Sequence, residues 1–140
     1  MAKILIVEDD ESQRLLYEEE LQEERHEVLL AKSGGEALKC LERALFDLII
    51  LDIRMPEMNG IEALGKITSR YKKIPVILHT AYSEYRNQSV ASLADAFILK
   101  SSDLSLLKKT VKELLEEKKK RKGNRNGRRT KTLARRNEDP

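Results

Sequence analysis

The chain has one cysteine, two histidines, six aromatic residues and no tryptophan among its 140 residues. Because Cys40 has no second cysteine to pair with, an intrachain disulfide is excluded, and so is a zinc site built from cysteine or histidine clusters. No apolar run approaches the roughly 20 residues that span a bilayer, so we expect neither a transmembrane helix nor a secretory signal. The sequence therefore predicts a soluble, cytosol-like protein with an aliphatic core.

Charge is abundant, at 36% of the residues, and it is unevenly distributed. Residues 1–117 hold 16 Lys and Arg against 22 Asp and Glu, whereas residues 118–140 hold 11 against 2. Apolar periodicity stops where the basic run begins, and such a segment cannot offset its ordering entropy by burial. We predict a domain at 1–120 and a basic, disordered tail at 121–140. Three interpretations of the tail stay open: a solubilising or linker segment, a contact for nucleic acid or another anionic surface, and self-association with the acidic domain.

Five short apolar runs have the pattern of strands covered on both faces. They occupy residues 3–7, 27–31, 47–52, 75–79 and 96–100. Segments with helical spacing alternate with them, which implies right-handed crossovers and a parallel sheet. Five strands in so short a chain favour the order 2-1-3-4-5. We therefore predict an α/β, flavodoxin-like, doubly wound (βα)5 fold with helices on both faces of the sheet.

The five predicted helices differ in the strength of their sequence signals. The first should bury Leu15, Leu16 and Leu21 on one face. The second begins in a capping box at Ser33. The fourth is short, and the fifth should bury an apolar stripe that starts at Leu104.

Carboxylates follow two predicted strands that would be neighbours in this order. Glu8, Asp9 and Asp10 follow the first strand, and Asp52 ends the third. Asp10 is interpreted as a helix cap. The other acids would repel one another unless a cation lay between them, and oxygen ligands without histidine or cysteine favour Mg²⁺.

Two more strand ends add polar groups to the same edge. Thr80 ends the fourth strand and Lys100 the fifth. A hydroxyl and an ammonium beside carboxylates suit a phosphoryl group carried on a carboxylate, with Asp52 as the nucleophile.

Four segments together carry a family resemblance. They are ILIVEDD at 4–10, DLIILDIRMPEMNG at 47–60, HTA at 79–81 and FILK at 97–100. In this order and spacing the chain resembles the response-regulator receiver domain of two-component signalling, from residue 3 to about residue 117. The resemblance implies a signalling switch that catalyses only its own phosphorylation and dephosphorylation, on Asp52, with a histidine kinase or histidine phosphotransfer protein as phosphodonor.

The resemblance also assigns roles to single residues. The ligands it implies for Mg²⁺, or for Mn²⁺ in its place, are Asp9, Asp52, the backbone carbonyl of Arg54 and, through water, Glu8. Thr80 and Lys100 would contact the phosphoryl group. Thr80 and Phe97 would form the switch, read by a partner protein on the face of the fourth helix, fifth strand and fifth helix. Arg54 and Tyr82 flank the site, and we expect their bulk to lengthen the phosphorylated lifetime.

The chain departs from the family pattern after Lys100, where Ser101 replaces the usual proline. A cis bond there would cost about 2.5–4 kcal/mol, so we expect a trans peptide. The stretch from Thr80 to Lys100 is also short, which predicts an abbreviated fourth helix.

Three alternatives remain beside the phosphorylated switch. One is a nucleic-acid-binding module whose basic tail is controlled by phosphorylation, and another is a pseudo-receiver that works without phosphate. The third is a Mg²⁺-dependent phospho-aspartate hydrolase, which is disfavoured because Arg54 stands where such enzymes have a second aspartate.

Overall fold

The computed structural model describes residues 2–53, 60–83 and 89–123, in which five strands alternate with four α-helices and one 3-10 helix. The strands are β1 (Lys3–Val7), β2 (Glu27–Ala31), β3 (Leu48–Leu51), β4 (Val76–Thr80) and β5 (Ala96–Leu99). The helices are α1 (Glu11–Glu23), α2 (Gly34–Arg43), α3 (Gly60–Arg70) and α4 (Ser105–Gly123). Every strand begins within one residue of its predicted start.

All five strands are parallel, in the order β2-β1-β3-β4-β5. This confirms the predicted flavodoxin-like topology. The last residue of β1, Val7, is level with Ala31 of β2 and Leu51 of β3. The carboxyl ends of these strands therefore meet at one edge of the sheet, as the convergence of the acidic groups requires.

The sheet separates two aliphatic layers. Leu5 and Val7 of β1 pack in the layer covered by α2 and α3, whereas Ile4 and Ile6 pack in the layer covered by α1 and α4. Alternate residues of a strand point to opposite faces, so each apolar strand fills both layers. Burying one such side chain completely contributes about 1.5–3 kcal/mol.

The inward face of α1 differs from the predicted one. Leu21 is buried, but Leu15 and Leu16 are 52% and 44% exposed, and Arg14 and Tyr17 are buried instead. Residues 14, 17 and 21 share one helix face at i, i+3 and i+7 spacing, and that face points to the sheet. The prediction for the two exposed leucines was wrong because it selected the inner residues by hydrophobicity alone. The inner face of the helix instead contains an arginine and a tyrosine beside Leu21.

Between β4 and β5, the described residues contain the 3-10 helix Ser89–Leu93 where the fourth helix was predicted. Residues 84–88 lie outside the described part of the chain. Asp95 then anchors the chain before β5, because its carboxylate accepts a 2.8 Å hydrogen bond from Val76 N. The crossover is thus short, in agreement with the abbreviated segment expected from the sequence.

Helix α4 runs to Gly123, three residues into the segment predicted as tail. Residues 124–140 lie outside the described part, so the disordered tail and its boundary stay predictions. The apolar stripe predicted from Leu104 is confirmed: Leu104, Leu107, Val111 and Leu114 are buried. None of the helices that the structure describes is both long and apolar enough to cross a membrane.

Candidate functional site

Acidic residues from β1 and β3 meet at the carboxyl edge of the sheet. Hydrogen bonding continues past both strand ends, since Glu8 N donates to Ala31 O and Asp52 N to Val7 O, each at 3.0 Å. The Glu8 and Asp52 side chains are thereby held next to each other, 2% and 6% exposed, while Asp9 is exposed. Two carboxylates so deeply buried require a positive partner.

Lys100 provides that positive charge from the end of β5. Its Nζ lies 2.6 Å from Glu8 Oε1 and 3.0 Å from Asp52 Oδ2. The backbone of Lys100 is fixed by a 2.7 Å hydrogen bond from its N–H to the carbonyl of Thr80. The peptide bond to Ser101 is trans, as predicted, and Lys100 still reaches both acids without the usual proline.

The electrostatics of the cluster follow from its burial. Burial raises the pKa of the Glu8 carboxyl to about 7, although the hydrogen bond from Lys100 opposes the rise. Burial by itself would lower the pKa of Lys100, but its hydrogen bond to Glu8 and the charge of Asp52 raise it above its usual value. The ammonium therefore stays charged at neutral pH, whereas the pKa of the Glu8 carboxyl lies above its ordinary value.

The acids also meet the geometric demands of a hard cation. Carboxylate oxygens of Glu8, Asp9 and Asp52 all lie within 4.8 Å of one another. Mg²⁺ takes oxygen ligands at 2.0–2.1 Å, so opposite ligands of one ion are roughly 4 Å apart. The donor set therefore fits Mg²⁺. Arg54, whose carbonyl was expected to add a ligand, lies outside the described residues.

Thr80, Phe97 and Tyr82 lie near the cluster. Thr80 is fully buried, and its hydroxyl accepts a 3.2 Å hydrogen bond from Tyr82 N. Phe97 is also buried, and its register partner is Leu78, two residues before Thr80. The structure thus brings the predicted switch pair onto neighbouring strands, with Tyr82 partly exposed beside the site.

Gly60 begins α3 directly against the backbone that follows β3. Its N–H donates to Ile53 O at 2.6 Å. A Cβ at this position would lie 2.2 Å from Asp52 O and 2.5 Å from Ile53 Cα, closer than real contacts allow. Only glycine permits this approach of the helix to the residue that carries the central carboxylate.

One group behind the acids, Arg14, was not assigned to the site from the sequence. The Arg14 side chain, 8% exposed, donates from Nη1 to the carbonyls of Glu8 and Asp9, both at 2.8 Å. Nothing in the spacing of one arginine within an acidic helix indicates this contact. Asp10 acts as the predicted cap, since its carboxylate accepts from Gln13 N at 3.2 Å.

His79 lies in the layer beneath the cluster and packs on α1. Its ring meets that of Tyr17 edge to face at 5.1 Å. His79 is 2% exposed, and its Nδ1 has no hydrogen-bond partner among the described residues. Burial lowers the pKa of His79 to about 4, and the nearby positive charge of Lys100 adds to the effect.

Comparisons with known proteins agree with this geometry. Residues 4–112 match the family described as the response regulator receiver domain. The transcriptional regulatory protein ZraR of Klebsiella oxytoca is 37% identical over 114 residues, which are 80% of this chain and 26% of that protein. The chain thus spans about a quarter of the length of such curated relatives.

In two solved structures, the match extends over nearly the whole length of the solved chain. Response regulator TrrA of Thermotoga maritima in complex with Mg²⁺-BeF is 44% identical, with a TM-score of 0.79 over 81% of this chain and 99% of that one. A complex of histidine kinase ThkA with the same regulator matches at 44% identity and a TM-score of 0.78, over 82% of this chain and 99% of that one.

Proposed function

The chain belongs to the response-regulator receiver domain family, and we propose that it is a signalling switch phosphorylated on Asp52. The observation that carries the proposal is the contact of Lys100 Nζ with both Glu8 and Asp52, in a cluster whose third acid is Asp9. This arrangement pairs a nucleophilic carboxylate with one cation already in place and with oxygen ligands for a second.

In the proposed reaction, an Asp52 carboxylate oxygen attacks the phosphorus of a phosphohistidine. An oxygen–phosphorus bond forms, the phosphorus–nitrogen bond breaks, and the histidine leaves with the electron pair of that bond. Bound Mg²⁺ would neutralise part of the charge on the phosphoryl oxygens. Asp9, Asp52, the backbone carbonyl of Arg54 and, through water, Glu8 would hold the ion, and Mn²⁺ would be able to replace it.

Lys100 and Thr80 would bind the phosphoryl oxygens. Lys100 would have to exchange its contact with Asp52 for one with the new group, and Thr80 would give up its bond with Tyr82 N. That movement is the local change that Phe97 would sense, shifting a pre-existing equilibrium between two states. Catalysis would be limited to the chain's own phosphorylation and dephosphorylation.

The proposed phosphodonor is a histidine kinase or a histidine phosphotransfer protein in the cytoplasm. The kinase complex of the relative TrrA supports this assignment. The proposed output surface is the face that contains the segment before β5, β5 itself and α4, and it would bind a downstream protein. A nucleic-acid or anionic-surface contact of the basic tail stays a sequence prediction, since residues 124–140 lie outside the described part.

Intact-mass spectrometry after incubation with acetyl phosphate tests the proposal. We expect one phosphoryl adduct that requires Mg²⁺ and is lost in Asp52→Asn. Asp47→Asn is the matched control, because Asp47 lies at the opposite edge of the sheet beside Lys3 and Lys118 and should leave the adduct unchanged. A folded wild-type protein that gains no adduct in excess Mg²⁺ would contradict the proposal and favour the pseudo-receiver alternative.

A further inference from the structure

The loop from β1 to α1, residues 8–10, holds two of the three acids of the site and is tied down from several directions. Glu8 N donates to Ala31 O of β2 at 3.0 Å, and Asp10 N donates to Glu8 Oε2 at 3.2 Å. The Asp10 carboxylate is occupied with capping α1. These bonds fix both ends of the loop but leave the carbonyls of Glu8 and Asp9 to be satisfied.

Arg14 satisfies both carbonyls. One nitrogen, Nη1, donates to Glu8 O and Asp9 O at 2.8 Å each, and the side chain is 8% exposed. An arginine this deeply buried usually pairs with a carboxylate. Every hydrogen bond that the described residues offer this side chain goes instead to the backbone of the acidic pair.

We infer that Arg14 is a positioning residue for the metal-binding acids: its guanidinium holds the backbone of Glu8 and Asp9 so that their carboxylates face Asp52. The carbonyl carbon and the side chain of a residue are both bonded to its Cα. Fixing the direction of the two carbonyls therefore restricts where the carboxylates can lie. The inference deepens the proposed function and rests on it for the identity of the cation.

Arginine is suited to this task by reach and by the fixed directions of its donors. Lysine at this position would keep the charge but would lose the planar fork and part of the reach. Methionine would keep much of the apolar stem and lose every donor. These two variants therefore separate a requirement for charge from a requirement for hydrogen bonds in defined directions.

The control variant is Leu21→Ala. Leu21 is 1% exposed on the same inner face of α1, two turns away, and it packs in the aliphatic layer that α1 and α4 cover. Its truncation should lower the melting temperature by opening a cavity while leaving the loop bonded. A purely structural role of Arg14 would make Arg14→Met behave in the same way.

Two measurements on folded protein, well below each melting temperature, test the inference. Calorimetry gives the Mg²⁺ dissociation constant, and amide hydrogen exchange of the metal-free protein reports the order of residues 8–10. We expect Arg14→Met to raise the dissociation constant about tenfold or more, the range seen when partners of metal ligands are removed. It should also accelerate exchange in the loop. Arg14→Lys should be intermediate, and Leu21→Ala should stay within about twofold of the wild type.

Different results would overturn the inference and the proposed function. Wild-type-like Mg²⁺ affinity and loop exchange in Arg14→Met, or in Arg14→Lys if the methionine variant does not fold, would refute the role of Arg14. The role of Arg14 is also refuted if Leu21→Ala changes both quantities as much as the arginine variants do. If the wild type itself binds no Mg²⁺, the proposed function fails, while hydrogen exchange in the metal-free loop still tests the role of the arginine.

Discussion

His79 should make the stability of the fold depend on pH. Its ring is buried against Tyr17, and burial holds its pKa near 4, against an ordinary value of 6.5. Between these two values the unfolded chain binds a proton that the folded chain does not. The contribution of the neutral His79 ring to the free energy of unfolding is therefore fully present above pH 6.5 and is lost progressively as the pH falls towards 4.

The magnitude follows from the shift. One pKa unit corresponds to 1.36 kcal/mol, so the full difference is about 3 kcal/mol, of which about 2 kcal/mol should be lost between pH 7 and pH 5. Glu8 acts in the opposite direction, because burial raises its pKa to about 7 and favours the folded state at low pH. A comparison with a variant that lacks only the imidazole removes this contribution, since Glu8 is common to both proteins.

His79→Phe is that variant, and it keeps an aromatic ring for the edge-to-face contact with Tyr17. Urea unfolding followed by circular dichroism at pH 7 and pH 5 gives the free energy of unfolding of both proteins. We expect the wild type to lose about 2 kcal/mol more than His79→Phe over this interval. His26→Gln is the control for the other histidine. Between pH 7 and pH 5 it should still lose most of the additional unfolding free energy that the wild type loses relative to His79→Phe. Equal losses in the wild type and His79→Phe would refute the reasoning.

Two further predictions concern the surroundings of Asp52. Gly60→Ala places a Cβ against the Asp52 backbone and should cost about 1–3 kcal/mol in urea unfolding, with slower phosphorylation by acetyl phosphate. Gly65→Ala in the same helix meets no atom within 4 Å of its new Cβ beyond the surrounding helix backbone, and it should be neutral or slightly stabilising. A similar loss in both variants would contradict the steric explanation. The double variant Arg54→Ala/Tyr82→Ala should lose its phosphoryl group faster than the wild type in a time course of intact mass. An unchanged rate would exclude the proposed shielding by these two side chains.

The strands could be predicted because their signal is local and strong. Runs such as Leu48–Leu51 are apolar at every position, and so short a run is typical of a strand covered on both faces. The order of the strands followed from their number and from crossover rules, and it brought Glu8 next to Asp52. The segment before β5 was less predictable, because a few apolar residues do not distinguish a short α-helix from the 3-10 helix Ser89–Leu93.

The supporting residues of the site were harder to predict because their partners are distant or are backbone atoms. Arg14 stands in a helix full of glutamates, where a charged residue usually faces solvent. Its role depends on two carbonyls that turn towards α1 only when the loop is folded. The same difficulty produced the wrong assignment of Leu15 and Leu16, since the inner face of α1 was chosen by hydrophobicity while a buried arginine and tyrosine occupy it.

The alternation of side chains along the strands divides the site between the two layers of the fold. Glu8, Asp52 and Lys100 each follow by two residues an isoleucine of the layer covered by α1 and α4. Thr80 instead follows Leu78, which packs with Phe97 in the layer covered by α2 and α3. The ionic cluster thus stands on one layer and the proposed switch pair on the other. A phosphoryl group on Asp52, at the edge where the layers meet, would bind Lys100 on one side and Thr80 on the other. A change of charge at Asp52 would therefore move groups that pack on both faces of the sheet.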